Sequence, residues 1–144
     1  MAVCNGLEVQ KLQLSNFAHR KLMPFARRIQ NPEGLYFVTF ATVQWVDVFT
    51  RRVYVDILLD SIRYCQKEKG LRIHAWCLMS NHVHLMISTE FGHHPSDALR
   101  DLKKFTARKI IAAIGDKEQP ESRRSWMLWL FKQAGRSDAS GSKF

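Results

Sequence analysis

The order of patterns along this chain predicts an α+β fold of ferredoxin-like type, an antiparallel sheet with two helices packed on one face. Three observations carry that expectation. Residues 35–43 form an aromatic and β-branched run, and amphipathic helical stretches lie on either side of a second β region. Within that region two alternating segments are joined by a short turn.

Residues 1–34 show no clean period and contain Pro24, Pro32 and Gly34. Residues 1–28 read as a leader outside the core, with room for one short helix. The domain then spans 29–144, entered through the turn Asn31-Pro32-Glu33-Gly34. Residues 35–43 make a central strand. Thr50 is the expected cap of a helix whose apolar residues Val55, Leu58, Leu59, Ile62 and Cys65 fall on one stripe. Lys67 and Lys69 suit its last turn, and Gly70 ends it. In the next strand, residues 72–79, Ile73, Ala75, Cys77 and Met79 share one face, which makes Cys77 an inert core thiol. Ser80-Asn81 turns the chain into a hairpin partner at 82–88. A second helix opens at Pro95-Ser96-Asp97, with Ser96 as cap, and runs to about Ile114. Residues 115–125 are a polar loop, 126–134 a short aromatic helix or strand, and 135–144 a Gly/Ser-rich mobile loop.

At 144 residues, 46% hydrophobic and 24% charged, the chain is one domain with a real core rather than a disordered segment. Its longest strongly apolar stretch, residues 126–131, is far short of the roughly 18 needed to span a bilayer. Three widely spaced cysteines without a C-x-x-C argue for a reducing compartment, and no signal peptide is evident, so a cytoplasmic location is expected. The net charge of +9 is uneven: +3 over residues 1–34, +1 over 35–94 and +5 over 95–144. A neutral middle with a basic C-terminal third suits a polyanionic partner.

The sharpest local feature is Asn81-His82-Val83-His84-Leu85-Met86-Ile87. On a strand, His82 and His84 point one way while Val83, Leu85 and Ile87 point into the core. Two such imidazoles can chelate one divalent ion; polar residues on an open sheet face give the same pattern. In the second helix Arg100, Lys104 and Arg108 form one stripe, broadened by Lys103, which is either a phosphate track beside the histidine face or an ordinary solvated face. Trp45, Trp76, Trp126 and Trp129 are candidates for stacking on unpaired bases or for core and interface packing. The loop histidines His93 and His94 are candidate extra ligands or a surface pair. No P-loop, nucleophile elbow or H-E-x-x-H occurs.

Taken together, the 35–40 strand, the helix ending at Lys69-Gly70, the run Ala75-Trp76-Cys77-Leu78-Met79-Ser80-Asn81-His82-Val83-His84-Leu85-Met86-Ile87 and Leu102-Lys103-Lys104-Phe105-Thr106 closely resemble the single-strand DNA transposases of the HUH class. The nearest branch is the IS200-like, REP-associated tyrosine transposase family, over residues 30–144. The resemblance implies a ferredoxin-like domain in which His82 and His84 bind Mg²⁺ or Mn²⁺, with a third protein ligand, water and the phosphate completing the shell. It implies single-stranded or hairpin DNA as partner and a tyrosine that attacks to leave a 5′-phosphotyrosine. Some relatives dimerise and supply that tyrosine in trans, so a homodimer is a further expected partner.

In the family the nucleophile lies well downstream of the basic helix. Tyr36, Tyr54 and Tyr64, the chain's three tyrosines, all precede the histidines and are expected to be structural. The family segment starting near Glu121 usually runs on past Phe144, so a C-terminal truncation that leaves the chain inactive alone is expected. The alternative function is a nucleic-acid-binding module that keeps the fold without chemistry. A small metal-dependent hydrolase ranks last, because no carboxylate base stands near the pair in the sequence.

Overall fold

The structure, a computed structural model, describes residues 4–11, 29 and 31–140, with the backbone alone for 4–11 and 136–140. In chain order the elements are strand β1 (Cys4–Lys11), strand β2 (Tyr36–Thr42), helix α1 (Arg52–Glu68), strands β3 (Leu71–Leu78) and β4 (His82–Thr89), and helices α2 (Pro95–Gly115) and α3 (Arg124–Ser140). The four strands form one sheet in the order β1-β2-β4-β3, antiparallel throughout. Because β4 lies between β2 and β3, the β2-α1-β3 unit is split by a strand that follows it in sequence, as in ferredoxin-like folds.

One face of this sheet is the core. Val38 and Phe40 of β2 and Val83, Leu85 and Ile87 of β4 are buried there. They join one cluster with Leu58, Ile62 and Cys65 of α1, Leu99, Leu102, Ile110 and Ile114 of α2, and Met127 and Phe131 of α3. Period-two alternation therefore sends Phe37, Thr39, His82, His84 and Met86 to the opposite, open face.

Several expectations about the elements are corrected. Residues 4–11 are an edge strand paired with β2, so part of the expected leader belongs to the sheet. The register is irregular between Asn5 and Leu7 and regular from Leu7 to Lys11, where Leu7 and Val9 alternate in sequence with Glu8 and Gln10. The caps are Arg51 and His94 rather than Thr50 and Ser96. Thr50 turns its hydroxyl to the Asp47 carbonyl, 3.1 Å away, and the Ser96 amide donates to His94 Nδ1 at 3.2 Å, ahead of Pro95 at the first helical position. Residues 126–134 are helical, and the helix continues to Ser140, through most of the expected C-terminal loop; 141–144 lie outside the described residues.

The most consequential correction is in β3. The register jumps between Ile73 and Ala75, which leaves His74 as an extra residue and reverses the parity of everything after it. Cys77 pairs with His84 and Ala75 with Met86, so both sit on the open face, and Cys77 is exposed rather than core. Gly70 keeps its expected place after α1 with φ +61°, and an added Cβ there would meet the His93 ring at 2.6 Å.

Candidate functional site

The two histidines meet on the open face at the start of β4, and each ring is held from behind. His82 Nδ1 lies 2.7 Å from the Asn81 side-chain carbonyl oxygen, which can only accept, so Nδ1 carries the proton. His84 Nδ1 lies 2.7 Å from Thr39 Oγ1 on the neighbouring strand, a partner able to accept the same proton. The two Nε2 atoms stand 3.1 Å apart, and with both Nδ1 atoms protonated both Nε2 lone pairs are free to share one ion. Two nitrogens at that separation, each about 2.1 Å from a shared ion, subtend an angle near 95°. That is the cis angle of an octahedral site. The donor set thus fits a divalent cation, and an Nδ1 partner for each ligand is the usual second layer of such sites.

No group of three or more His, Cys, Asp or Glu side chains forms a metal cluster among the described residues, so the expected third protein ligand is not found there. Of the loop histidines, His94 caps α2 and His93 lies against Gly70.

Aromatic rings bracket the pair. Phe37 stacks on His84, with centroids 5.4 Å apart and planes 19° apart. Trp45 meets His82 edge to face at 5.5 Å. Trp45 and Gln44 both have left-handed φ, 55° and 54°, a conformation that costs a non-glycine residue about 1–3 kcal/mol and persists only where the surroundings impose it. Here Val43, Val46, Val48 and Phe49 are buried and pin the loop, while the Asn81 side-chain amide donates to the Trp45 carbonyl at 3.2 Å. Pattern reading missed this loop because strain is not written in residue periodicity.

A buried polar cluster, also unforeseen, fastens the start of α3 to the same loop. The Glu121 carboxylate accepts from Arg123 Nε at 3.1 Å and Tyr54 OH at 3.1 Å, and pairs with Arg51 Nε at 3.0 Å. Burial pushes the Glu121 carboxyl up, but hydrogen bonds from Arg123 and Tyr54 more than offset it and bring it to about 2. Burial first, then the bond to Glu121, pushes Tyr54 up to about 12. Arg123 also donates to the Asp47 carbonyl at 2.9 Å, while Asp47 Oδ1 accepts from Ser80 Oγ at 2.6 Å in the hairpin turn before His82.

With this geometry in place, comparison with known proteins is decisive at one point. The family model described as "Transposase IS200 like" matches residues 34–132, from just before β2 well into α3. The chain belongs to the IS200-like transposase family. No curated protein matches significantly. Among solved structures, that of a candidate transposase from Deinococcus radiodurans R1 is similar, with a TM-score of 0.49 and 20% identity over 80% of this chain and 96% of that one.

The transposase family match contains the histidine pair, its bracketing loop and the basic row of α2. Of the residues expected to serve an IS200-like transposase, His82 and His84 come together on one face. The basic row does not join them. α2 covers the Val83–Leu85–Ile87 face, so the sheet separates Arg100, Lys103, Lys104 and Arg108 from the histidines instead of setting them side by side. Arg100 is engaged by Asp97 at 2.7 Å and Asp101 at 3.4 Å, whereas no described acid pairs with Lys104 or Arg108. The four tryptophans are all exposed rather than core, and Trp45 is the one described as touching the pair. None of the tyrosines reaches the pair: Tyr36 is buried and bonded to Asn31, Tyr54 to Glu121, and Tyr64 stacks on Phe105 of α2. No helix of the described residues is long and apolar enough to cross a membrane.

Proposed function

We propose that this transposase-family protein binds single-stranded or hairpin DNA with the open face of its sheet, and that His82 and His84 hold one Mg²⁺ or Mn²⁺ there. The observation that carries the reading is the 3.1 Å approach of the two Nε2 atoms, with each ring held through its other nitrogen. When bound, such an ion supplies Lewis-acid polarisation of a phosphodiester and a template for its orientation. The chain's own residues do the rest. With Asn81 and Thr39 each accepting an Nδ1 proton, both Nε2 lone pairs are presented together. Phe37 and the pinned 43–50 loop stop the rings from turning away. Lys103, Lys104 and Arg108 contact phosphates on a stretch of DNA other than the one at the histidines, because the sheet lies between.

Strand transfer through a phosphotyrosine is the family chemistry this site would serve. A second reading, a DNA-binding module without cleavage, is favoured by one specific observation: the hydroxyls of Tyr36 and Tyr54 are tied into buried contacts, and Tyr64 lies on the helix side of the sheet. Binding of labelled hairpin DNA with and without Mn²⁺ tests the common part. Metal-enhanced binding of single strand over duplex is expected; equal binding of the duplex, unchanged by metal, would refute it.

A further inference from the structure

We propose that Trp45 is a stacking subsite for one unpaired nucleobase, next to the phosphate that His82 and His84 address. The inference deepens the single-strand reading above and rests on it.

The indole is held on the open face at a cost. It is 61% exposed although tryptophan is strongly favoured in apolar surroundings, and it stands on two consecutive left-handed residues. Nothing in the loop's packing needs it. Val43, Val46, Val48 and Phe49 fill the core beneath, and Gln44 and Trp45 are lifted clear of it. The lift is fastened on both sides, through the Asn81 amide to the Trp45 carbonyl and through the Phe49 amide to the Ser80 carbonyl at 2.8 Å. The loop is therefore tied to the turn that delivers His82. The ring lands edge to face on His82, with planes 68° apart, which leaves indole surface open to solvent beside the imidazole pair.

A π face at that place suits a nucleobase. Stacking tolerates any base, and a base lies within one nucleotide of the phosphate it carries. The other exposed tryptophans lack this position. Trp76 pairs in register with Leu85 and so belongs to the helix side, and Trp126 and Trp129 lie on α3. The residue works with Phe37 in a division of labour: Phe37 is half-buried and stacked on His84, so it holds a ligand ring, while Trp45 offers its surface outward.

The test uses the full chain, a single-stranded DNA oligonucleotide of mixed sequence, and EDTA to remove any contribution of bound metal. Trp45→Ala and Trp45→Gly should each weaken binding by about five- to 150-fold, with Trp45→Phe losing much less and the salt dependence unchanged in all three. Glycine suits the left-handed backbone, so Trp45→Gly separates loss of the ring from loss of the fold. Independently of any variant, 5-iodouracil in the oligonucleotide should photo-crosslink the wild-type protein at Trp45. Unchanged affinity in Trp45→Gly, equal losses in the Phe and Gly variants, or crosslinks mapping only elsewhere would overturn the subsite while leaving single-strand binding intact. A wild-type protein that binds no single strand would bring down the proposed function and the subsite together.

Discussion

Thr39 Oγ1 and His84 Nδ1 stand 2.7 Å apart across the β2–β4 pair, in a register that sets the two residues directly opposite. This contact connects the first half of the domain to the site. A hydroxyl at position 39 can accept the Nδ1 proton of His84, and in that tautomer Nε2 is free to act as a ligand.

The metal site should therefore depend on three positions to different degrees. His82→Ala or His84→Ala should abolish Mn²⁺ binding measured by calorimetry. Thr39→Val, which keeps the shape and removes the hydroxyl, should weaken it by about 10–100-fold without unfolding the chain. Full Mn²⁺ affinity in Thr39→Val would show that the contact does not orient the ligand.

The basic row predicts a different signature. Lys103→Ala, Lys104→Ala and Arg108→Ala combined should lower the salt slope of single-strand binding by about 2, at roughly 0.7 per phosphate contact. Because the sheet separates this row from the histidines, Mn²⁺ affinity should stay unchanged in the triple variant. A salt slope equal to wild type would place the phosphate contacts elsewhere.

How much of this was legible beforehand divides along physical lines. Period two placed His82 and His84 opposite Val83, Leu85 and Ile87, and the match with the structure is direct because β4 has no register break. The same rule failed one strand earlier, where a single extra residue at His74 moved Cys77 from the apolar side to the open face. A bulge leaves no mark in hydrophobic alternation. The Glu121 cluster was invisible because its members are contributed by the start of α1 and the loop before α3, and nothing in a polar loop marks which acid will be buried.

That cluster has a pH consequence. Glu121 sits at about 2 in the folded protein against an ordinary value of 4.5, so its contribution is fully present above pH 4.5 and fades as pH falls towards 2. The carboxylate side chain is 1% exposed, and the shift corresponds to about 3 kcal/mol. Thermal melts should show a loss of stability across that window. Glu121→Gln should lower the melting temperature at pH 7 and flatten the acid limb. An acid limb identical to wild type would mean that Glu121 is not the group responsible.

The last prediction concerns covalent chemistry. A nucleophile must lie about 3–3.5 Å from the phosphorus, in line with the leaving oxygen, and displacement by a single ångström can cost a hundredfold in rate. Tyr36 donates its hydroxyl to the Asn31 carbonyl at 2.6 Å, and Tyr54 is buried, held protonated beside Glu121 and pushed up to about 12. Tyr64 is exposed, but it stacks on Phe105 on the helix side, with the whole sheet between it and His84. Incubation of this chain with Mn²⁺ and labelled hairpin DNA should accordingly give no adduct that survives a denaturing gel, even where the same DNA is bound. Tyr64→Phe should leave binding unchanged, because the stacked ring remains. An adduct mapped to any of the three tyrosines would require a rearrangement that carries a hydroxyl across the sheet, and would remove the active site from the face assigned to it.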